Sequence, residues 1–432
     1  MDARDAIDQA ARNSYGRLIA FLSARSHDVA AAEDALSEAF HSALEHWPKR
    51  GVPDKPEAWL LTAARRQLID AARHMRVHDA SVPTLAMVAE EAEHAATSNV
   101  DFPDERLKLL FICAHPAIDA AARTPLMLQT VLGLDAARIA SAFLVKPQTM
   151  GQRLSRAKTK IRDAGIAFEL PHENDLPARV DAVLEAVYAA YGSGWDDVAG
   201  ADARRQGLAE EAIDLGRLML QLMPAEPEVM GLLALMLHCQ ARSAARRADD
   251  GAYLPLSEQD ATRWSRAMID EADAWLRKAE RVGRVGRFQL EAAIQSLHAQ
   301  RLTAGRVDWN AISWLYEGLA QLFPTIGGLV GRAAAVAEAR GAAEGHALLM
   351  QLPSEVVQTY QPYWALAAHL LCRLDRIDEA AEAYRRAIGL CEDAAMRAFL
   401  LRKLHRTQAA AGVTEGDAIN VSPSRAMPPA ES

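Results

Sequence analysis

Cationic and amide side chains crowd one short stretch of this chain. Between residues 135 and 162 there are seven Lys and Arg against one Asp. Lys146, Gln148, Thr149, Gln152, Arg153, Arg156, Lys158 and Lys160 are residue types that read or hold DNA. A Gln amide can pair bidentately with adenine and an Arg guanidinium with guanine, while charged side chains neutralise phosphates. Among them Met150, Leu154, Ala157 and Ile161 recur at spacings of 4, 3 and 4, which is one apolar stripe of a helix. Pro147 suits the first position of that helix, where its missing N–H costs nothing. Upstream, Ile139, Ala140 and Phe143 give a shorter helix its own apolar face. Two helices and a tight turn can set the second helix in a major groove. Its first two turns then meet base edges, and Arg156, Lys158 and Lys160 hold phosphates further along.

A second cationic helix is expected over 56–76, carrying Arg65, Arg66, Arg73 and Arg76 with Asp70 the one acid after Glu57. Trp59 on the same segment is expected in the core. Asp34 and Glu38 stand four residues apart on a helix face, where like charges repel. A cationic partner surface would relieve that repulsion. No nucleophile–base pair and no paired carboxylates suggest a reaction, so no catalytic residue, cofactor or metal is expected. His298, His346, His369 and His405 lie singly in helical segments. Cys113, Cys239, Cys372 and Cys391 lack ligand spacing and are expected to be buried free thiols of a reducing cytoplasm.

The elements that must position these groups are helical throughout. Ala, Leu, Arg and Glu dominate and β-branched runs are missing, so the fold class is all-α. The chain of 432 residues is 50% apolar with a net charge of −9, enough for several soluble domains and too acidic for indiscriminate nucleic-acid binding. Charge is focused instead: +6 over 135–162 against −10 over 163–432. The N-terminus is polar and acidic, unlike a signal peptide, and no apolar run nears the roughly 20 residues of a membrane span. Residues 79–103 read as an acidic linker, 171–178 as a short Pro-containing break, and 412–432 as a disordered tail. That break predicts that a chain ending after Pro171 keeps its DNA-reading parts folded. The Arg- and Asp-rich stretch 241–264 lacks the strand context of a phosphate loop and reads as an ordered loop between helices.

From Arg179 onward a weak repeat places small or apolar residues at spacings of 4 and 3. It runs Ala212, Gly216, Met219; Ala272, Leu276, Ala279; Ile312, Tyr316, Leu319; and Ala380, Tyr384, Ala387. Trp364, Ala367, Ala368 and Leu371 supply a helix before the last copy. This resembles the tetratricopeptide pattern, whose helix pairs stack into a solenoid.

Two parts of the first 170 residues resemble the paired regions of a sigma-70 family factor of the extracytoplasmic-function type. Region 2 is resembled by DVAAAEDALSEAFHSALEHW and PEAWLLTAARRQLIDAARHMR, on Glu33, Asp34, Glu38, Ala39, Phe40, Trp59, Leu60, Ala64, Arg65, Asp70 and Arg73. Region 4 is resembled by the run from ERLKLLFICAHPAI to SRAKTKIR, with Leu144 where a turn glycine is usual and Lys146 where a capping Ser is usual. LFICAHPAI, GRFQLEAAIQSLHAQ and DWNAISWLYEGL are similar to the subgroup with a long tetratricopeptide-like C-terminal extension.

The resemblance implies region 2 over 1–78, linker 79–103, region 4 over 104–170, a helical regulatory domain over 179–411 and the tail. It implies that Asp34 and Glu38 bind the clamp helices of core RNA polymerase. Arg65, Arg66, Arg73 and Arg76 then meet the −10 element of promoter DNA, and helix 147–162 reads the −35 element. A protein partner is expected for the solenoid, which acts on activity in cis, and no membrane partner is expected. Two other readings stay open on the residues alone: a helix-turn-helix activator that acts without polymerase binding, and a tetratricopeptide interaction scaffold.

Overall fold

The computed structural model describes residues 2–76, 104–143, 145–172, 174–196 and 207–418. The linker read at 79–103 and Leu144 lie outside them. The described residues are helical without strands, apart from one antiparallel bridge between Arg247 and Tyr253. The contacts divide the chain into two compact units, 1–224 and 225–432.

The first unit opens with α1 (Ala3–Ser26), α2 (Val29–Arg50) and α3 (Pro56–Arg76), which all pack on one another. Leu18, Ile19, Phe21 and Leu22 of α1 meet Ala32, Leu36, Ala39 and Ala43 of α2 and Leu60 and Ala64 of α3, all almost fully buried. Spacings of 3 and 4 along each helix put these residues on one face. Asp28 starts α2: its side chain accepts from the N–H groups of Ala30 and Ala31 at 2.9 and 3.1 Å. Trp59 is half-buried, edge-on to Trp47 at 5.5 Å.

Next come α4 (Arg106–Cys113), α5 (Ala120–Thr130), α6 (Ala136–Ala142) and α7 (Pro147–Asp163). The α5, α6 and α7 helices pack mutually, α4 packs on α1 and α5, and α7 also rests on α2. Gly16 lets α1 approach the turn after α5 closely: a Cβ there would stand 2.0 Å from the Val131 carbonyl oxygen.

Contacts run across the expected break at 171–178, so the first compact unit continues beyond it. Helices α8 (Pro177–Asp196) and α9 (Leu208–Leu222) pair with each other, and both pack back on α4, α8 also on α5. Val183, Leu184, Ala186, Val187 and Ala190 are buried by this. Arg106 is the charged clasp of the same block. It donates to Asp104 at 2.6 Å and to Glu211 of α9, with 8% of its side chain exposed. A chain ending after Pro171 would expose that apolar face and leave Arg106 without Glu211. The first compact unit ends at Pro224 and the second begins at Ala225.

The second unit contains α10 (Pro227–Gln240), α11 (Arg266–Glu280), α12 (Arg287–Ala299), α13 (Arg301–Ala304), α14 (Trp309–Leu322), α15 (Ile326–Arg340), α16 (Ala342–Leu349), α17 (Ser354–Val357), α18 (Gln361–Arg373), α19 (Ile377–Gly389) and α20 (Ala394–Ala418). The last helix thus reaches past the expected start of the tail, and 419–432 lie outside the described residues. Most of these helices pack on their chain neighbours. The repeat positions Ala272, Ala279, Ile312, Leu319, Ala380, Tyr384 and Ala387 are buried in the contact faces. Glu228 of α10 caps α12 across the unit, accepting from the N–H groups of Phe288 and Gln289 at 3.0 and 3.2 Å. The stretch 241–264 is ordered, as expected. Arg301 donates to its carbonyls, at 2.7 Å to Leu256 and 3.3 Å to Ser257. His298 is structural: burial, with Arg242 and Arg301 nearby, pushes its pKa down to about 4.

Candidate nucleic-acid and polymerase interface

The site is built around α7. Met150, Leu154, Ala157 and Ile161 are 0, 2, 5 and 1% exposed, so the stripe read from the sequence is the packed face. Each such Leu or Ile burial stabilises by about 1.5–3 kcal/mol, and together they fix the rotation of the helix. Gln148, Thr149, Gln152, Arg156 and Lys160 are consequently exposed, as is Lys146 just before the helix. Arg153 is half-buried and donates to the Ala121 carbonyl at 3.4 Å, near the start of α5. A groove of about 520 Å³ runs there, with Thr149, Gln152, Arg156 and Lys160 on one wall and Asp119 and Ala122 on the other. The preceding α6 is capped by Asp135, which accepts from Ala137 and Arg138 at 3.1 and 3.0 Å. Ile139 and Ala140 are buried, while Phe143 is 36% exposed, so the apolar face of α6 is narrower than expected.

Lys158 departs from its expected place. It is paired with Glu33 of α2, and only 11% of the lysine and 16% of the glutamate side chain are exposed. It is not offered to a phosphate in this arrangement, because α2 packs along that side of α7. One turn on, Arg162 Nη1 lies 3.7 Å from Asp28 Oδ2.

On α3 Arg65 and Arg66 part company. Arg65 is 6% exposed, with its guanidinium 4.8 Å from the centre of the Phe21 ring. It is a core residue, which corrects its expected place at DNA. The cause is register: Leu61, Ala64 and Arg65 share the face packed on α1. Arg66 and Asp70 are exposed. Arg73 and Arg76 fall on the last turns of α3, where the side chains lie outside those described.

On α2, Asp34 and Glu38 are both exposed and one turn apart, as expected. His41 and Glu45 continue that side of the helix, and Leu44 stands beside it at 50% exposure. Sequence reasoning passed over Leu44, whose only signal was an apolar residue outside the buried 32, 36, 39, 43 and 47 series. Nor did anything in the sequence signal the pairing of Glu33 and Asp28, whose partners are more than 120 residues away. Among the described residues no group of three or more His, Cys, Asp or Glu side chains could hold a metal ion. None of their helices is long and apolar enough to cross a membrane. The four cysteines are free, Cys113 and Cys391 buried and Cys239 and Cys372 half-buried.

Residues 11–76 match Sigma-70 region 2, and residues 179–280 match a family of unknown function, DUF6596. Uncharacterized protein R00370 of Rhizobium meliloti (strain 1021) is 38% identical over 377 residues, covering 86% of this chain and 89% of that protein. No solved structure matches the chain.

Proposed function

The chain belongs to the same family as that Rhizobium protein and is a sigma-70 family member through its region 2, and on this premise we propose that it is an initiation factor that binds core RNA polymerase and directs it to promoters. The observation that carries the reading is the Sigma-70 region 2 match at 11–76, folded in one compact unit with a helix whose polar, cationic face stands clear of its core. In this reading Asp34 and Glu38 meet a cationic surface of the polymerase largest subunit. Arg66, with Arg73 and Arg76, meets the −10 element. Gln148, Thr149, Gln152 and Arg153 read the −35 element, while Lys146, Arg156 and Lys160 hold phosphates. The chain is then of the extracytoplasmic-function type, works in the cytoplasm, and carries a tetratricopeptide-like C-terminal part that modulates activity and takes a protein partner.

The test is reconstituted transcription with core polymerase and the full chain on its own promoter. Gln152→Ala and Arg153→Ala should weaken promoter-specific initiation while leaving core binding intact, each lost base contact costing roughly 1–3 kcal/mol. Asp34→Lys with Glu38→Lys should lower core affinity without unfolding. A chain that binds duplex DNA but neither binds core polymerase nor supports initiation is an activator. One that does none of these is a scaffold.

A further inference from the structure

Three contacts join α2 and the corner before it to the far half of α7 and the segment that follows it. Lys158 Nζ donates to Glu33 Oε2, and Arg162, half-exposed and donating to its neighbour Asp163 at 3.2 Å, lies 3.7 Å from Asp28. The His27 ring stands edge-on to Phe168, centroids 5.7 Å apart, and Phe168 is 6% exposed. Lys158 and Arg162 are four residues apart, so both cations point the same way from one side of the helix. The acids facing them are held in place. Asp28 Oδ1 is engaged as the cap of α2, which leaves Oδ2 for Arg162. Glu33 Oε1 is buried with no hydrogen-bond partner among the described residues, so the charged carboxylate depends on Lys158. Burial pushes the Glu33 carboxyl above the usual carboxylate range, and Lys158 opposes that shift. Tyr15, Asp34 and Cys113 are the other titratable groups around it. The near half of α7 is free of such contacts with α2: Gln148, Thr149 and Gln152 are exposed.

A carboxylate at ion-pair distance presents the same chemistry to a lysine or arginine as a DNA phosphate does. We propose that Glu33 and Asp28 are built-in competitors for the phosphate backbone, occupying the cationic end of α7 so that duplex DNA must displace them to gain Lys158 and Arg162. The proposal rests on the reading of α7 as a duplex-binding helix. The free chain keeps its base-reading half and the exposed Lys146, Arg156 and Lys160 open, and withholds the part of its sequence-independent grip that Lys158 and Arg162 would add. Such a device suppresses stray binding more than specific binding, because phosphate contacts dominate the former. Glu33 adjoins Asp34 on the helix assigned to polymerase, so a partner that draws α2 away from α7 releases the clasp.

The full chain can be titrated against a short duplex of random sequence, followed by fluorescence anisotropy between roughly 50 and 200 mM salt. The variant D28N/E33Q keeps a capping side chain at 28 and the volume at 33. It should bind roughly tenfold tighter at the low-salt end, with a slope of log K on log salt steeper by about 1 to 2, since each freed cation adds about 0.9. Adding K158A/R162A should abolish the gain. Equal affinity and slope in wild type and D28N/E33Q, including no binding by either, overturns the proposal. So does a gain that survives K158A/R162A, since it would reflect only the lost negative charge. If D28N/E33Q loses helical circular dichroism, E33Q alone leaves the cap intact and should steepen the slope by about 1. Transcription with core polymerase is a separate measurement: its absence overturns the initiation reading, whereas the duplex titration decides the clasp.

Discussion

Helices α3 and α7 look alike as sequences and treat their cations differently. Both are amphipathic and both carry arginines beside apolar residues. On α7 the apolar stripe is strict and large enough to set the rotation, so Gln148, Gln152, Arg156 and Lys160 face outward. On α3 the packed face includes Leu60, Leu61 and Ala64, and the alanine leaves room for the stem of Arg65 beside Phe21. Long side chains of this kind bury their methylenes readily where a partner ring receives the charge. A row of arginines on a helix therefore says little about which of them face outward. The apolar stripe beside them decides, and only when it is unambiguous.

The largest expected effect tests the α7 side of this comparison. Leu154→Ala should cost about 3 kcal/mol in urea unfolding of the first unit, from lost burial and the cavity left behind. Ser155→Ala, at an exposed neighbour, should stay within about 0.5 kcal/mol. Similar costs at both positions would mean that the stripe does not fix the helix.

Gly16→Ala probes what holds the two helices in one unit. The added methyl would meet the Val131 carbonyl, so α1 must move from the turn after α5. A loss of about 2 kcal/mol is expected by the same unfolding measurement. A neutral result would show that this approach can relax at little cost.

Arg65→Ala and Arg66→Ala sharpen the comparison within α3. The first should lower stability by about 1–2 kcal/mol through lost packing on Phe21. The second should leave stability unchanged and lower promoter-specific transcription. Reversal of the two phenotypes would return Arg65 to the DNA-facing set.

The smallest effect concerns the clasp on α7. The raised Glu33 pKa favours its protonated form in the folded chain, so the associated stability is present at acid pH and lost as pH rises through the folded value. Wild type should therefore gain stability relative to Glu33→Gln as pH falls from neutral into the ordinary carboxylate range. Parallel stability curves for the two proteins would remove burial of the charge as the dominant influence on Glu33.

The repeat positions show how far a pattern carries. Ala272, Ile312 and Ala380 mark the buried face of their helices because a spacing of 4 and 3 admits only one such face. The same pattern at Ala212, Gly216 and Met219 gave the face of α9 correctly but not its neighbours. That copy belongs to the first unit, where α8 and α9 pack on α4, whereas the other copies lie in the second. Proline and polar residues at 171–178 look like a linker, yet a short connection between packed helices has the same composition. Nothing local distinguishes the two, since the difference lies in what α8 finds to cover.

What the sequence by itself determined is the set of helices, their inward faces and the region of concentrated positive charge. Those follow from local rules: the 3.6-residue period and Pro147 at a helix start. Tertiary structure alone decided which charges are free. Arg65 turns inward, Lys158 and Arg162 meet Glu33 and Asp28, and Arg106 binds Glu211. A charged side chain's partner depends on which distant helix packs beside it, and charge type carries no information about distance along the chain. The apolar stripe fixes only one face of a helix, and its neighbours fix the use of the others.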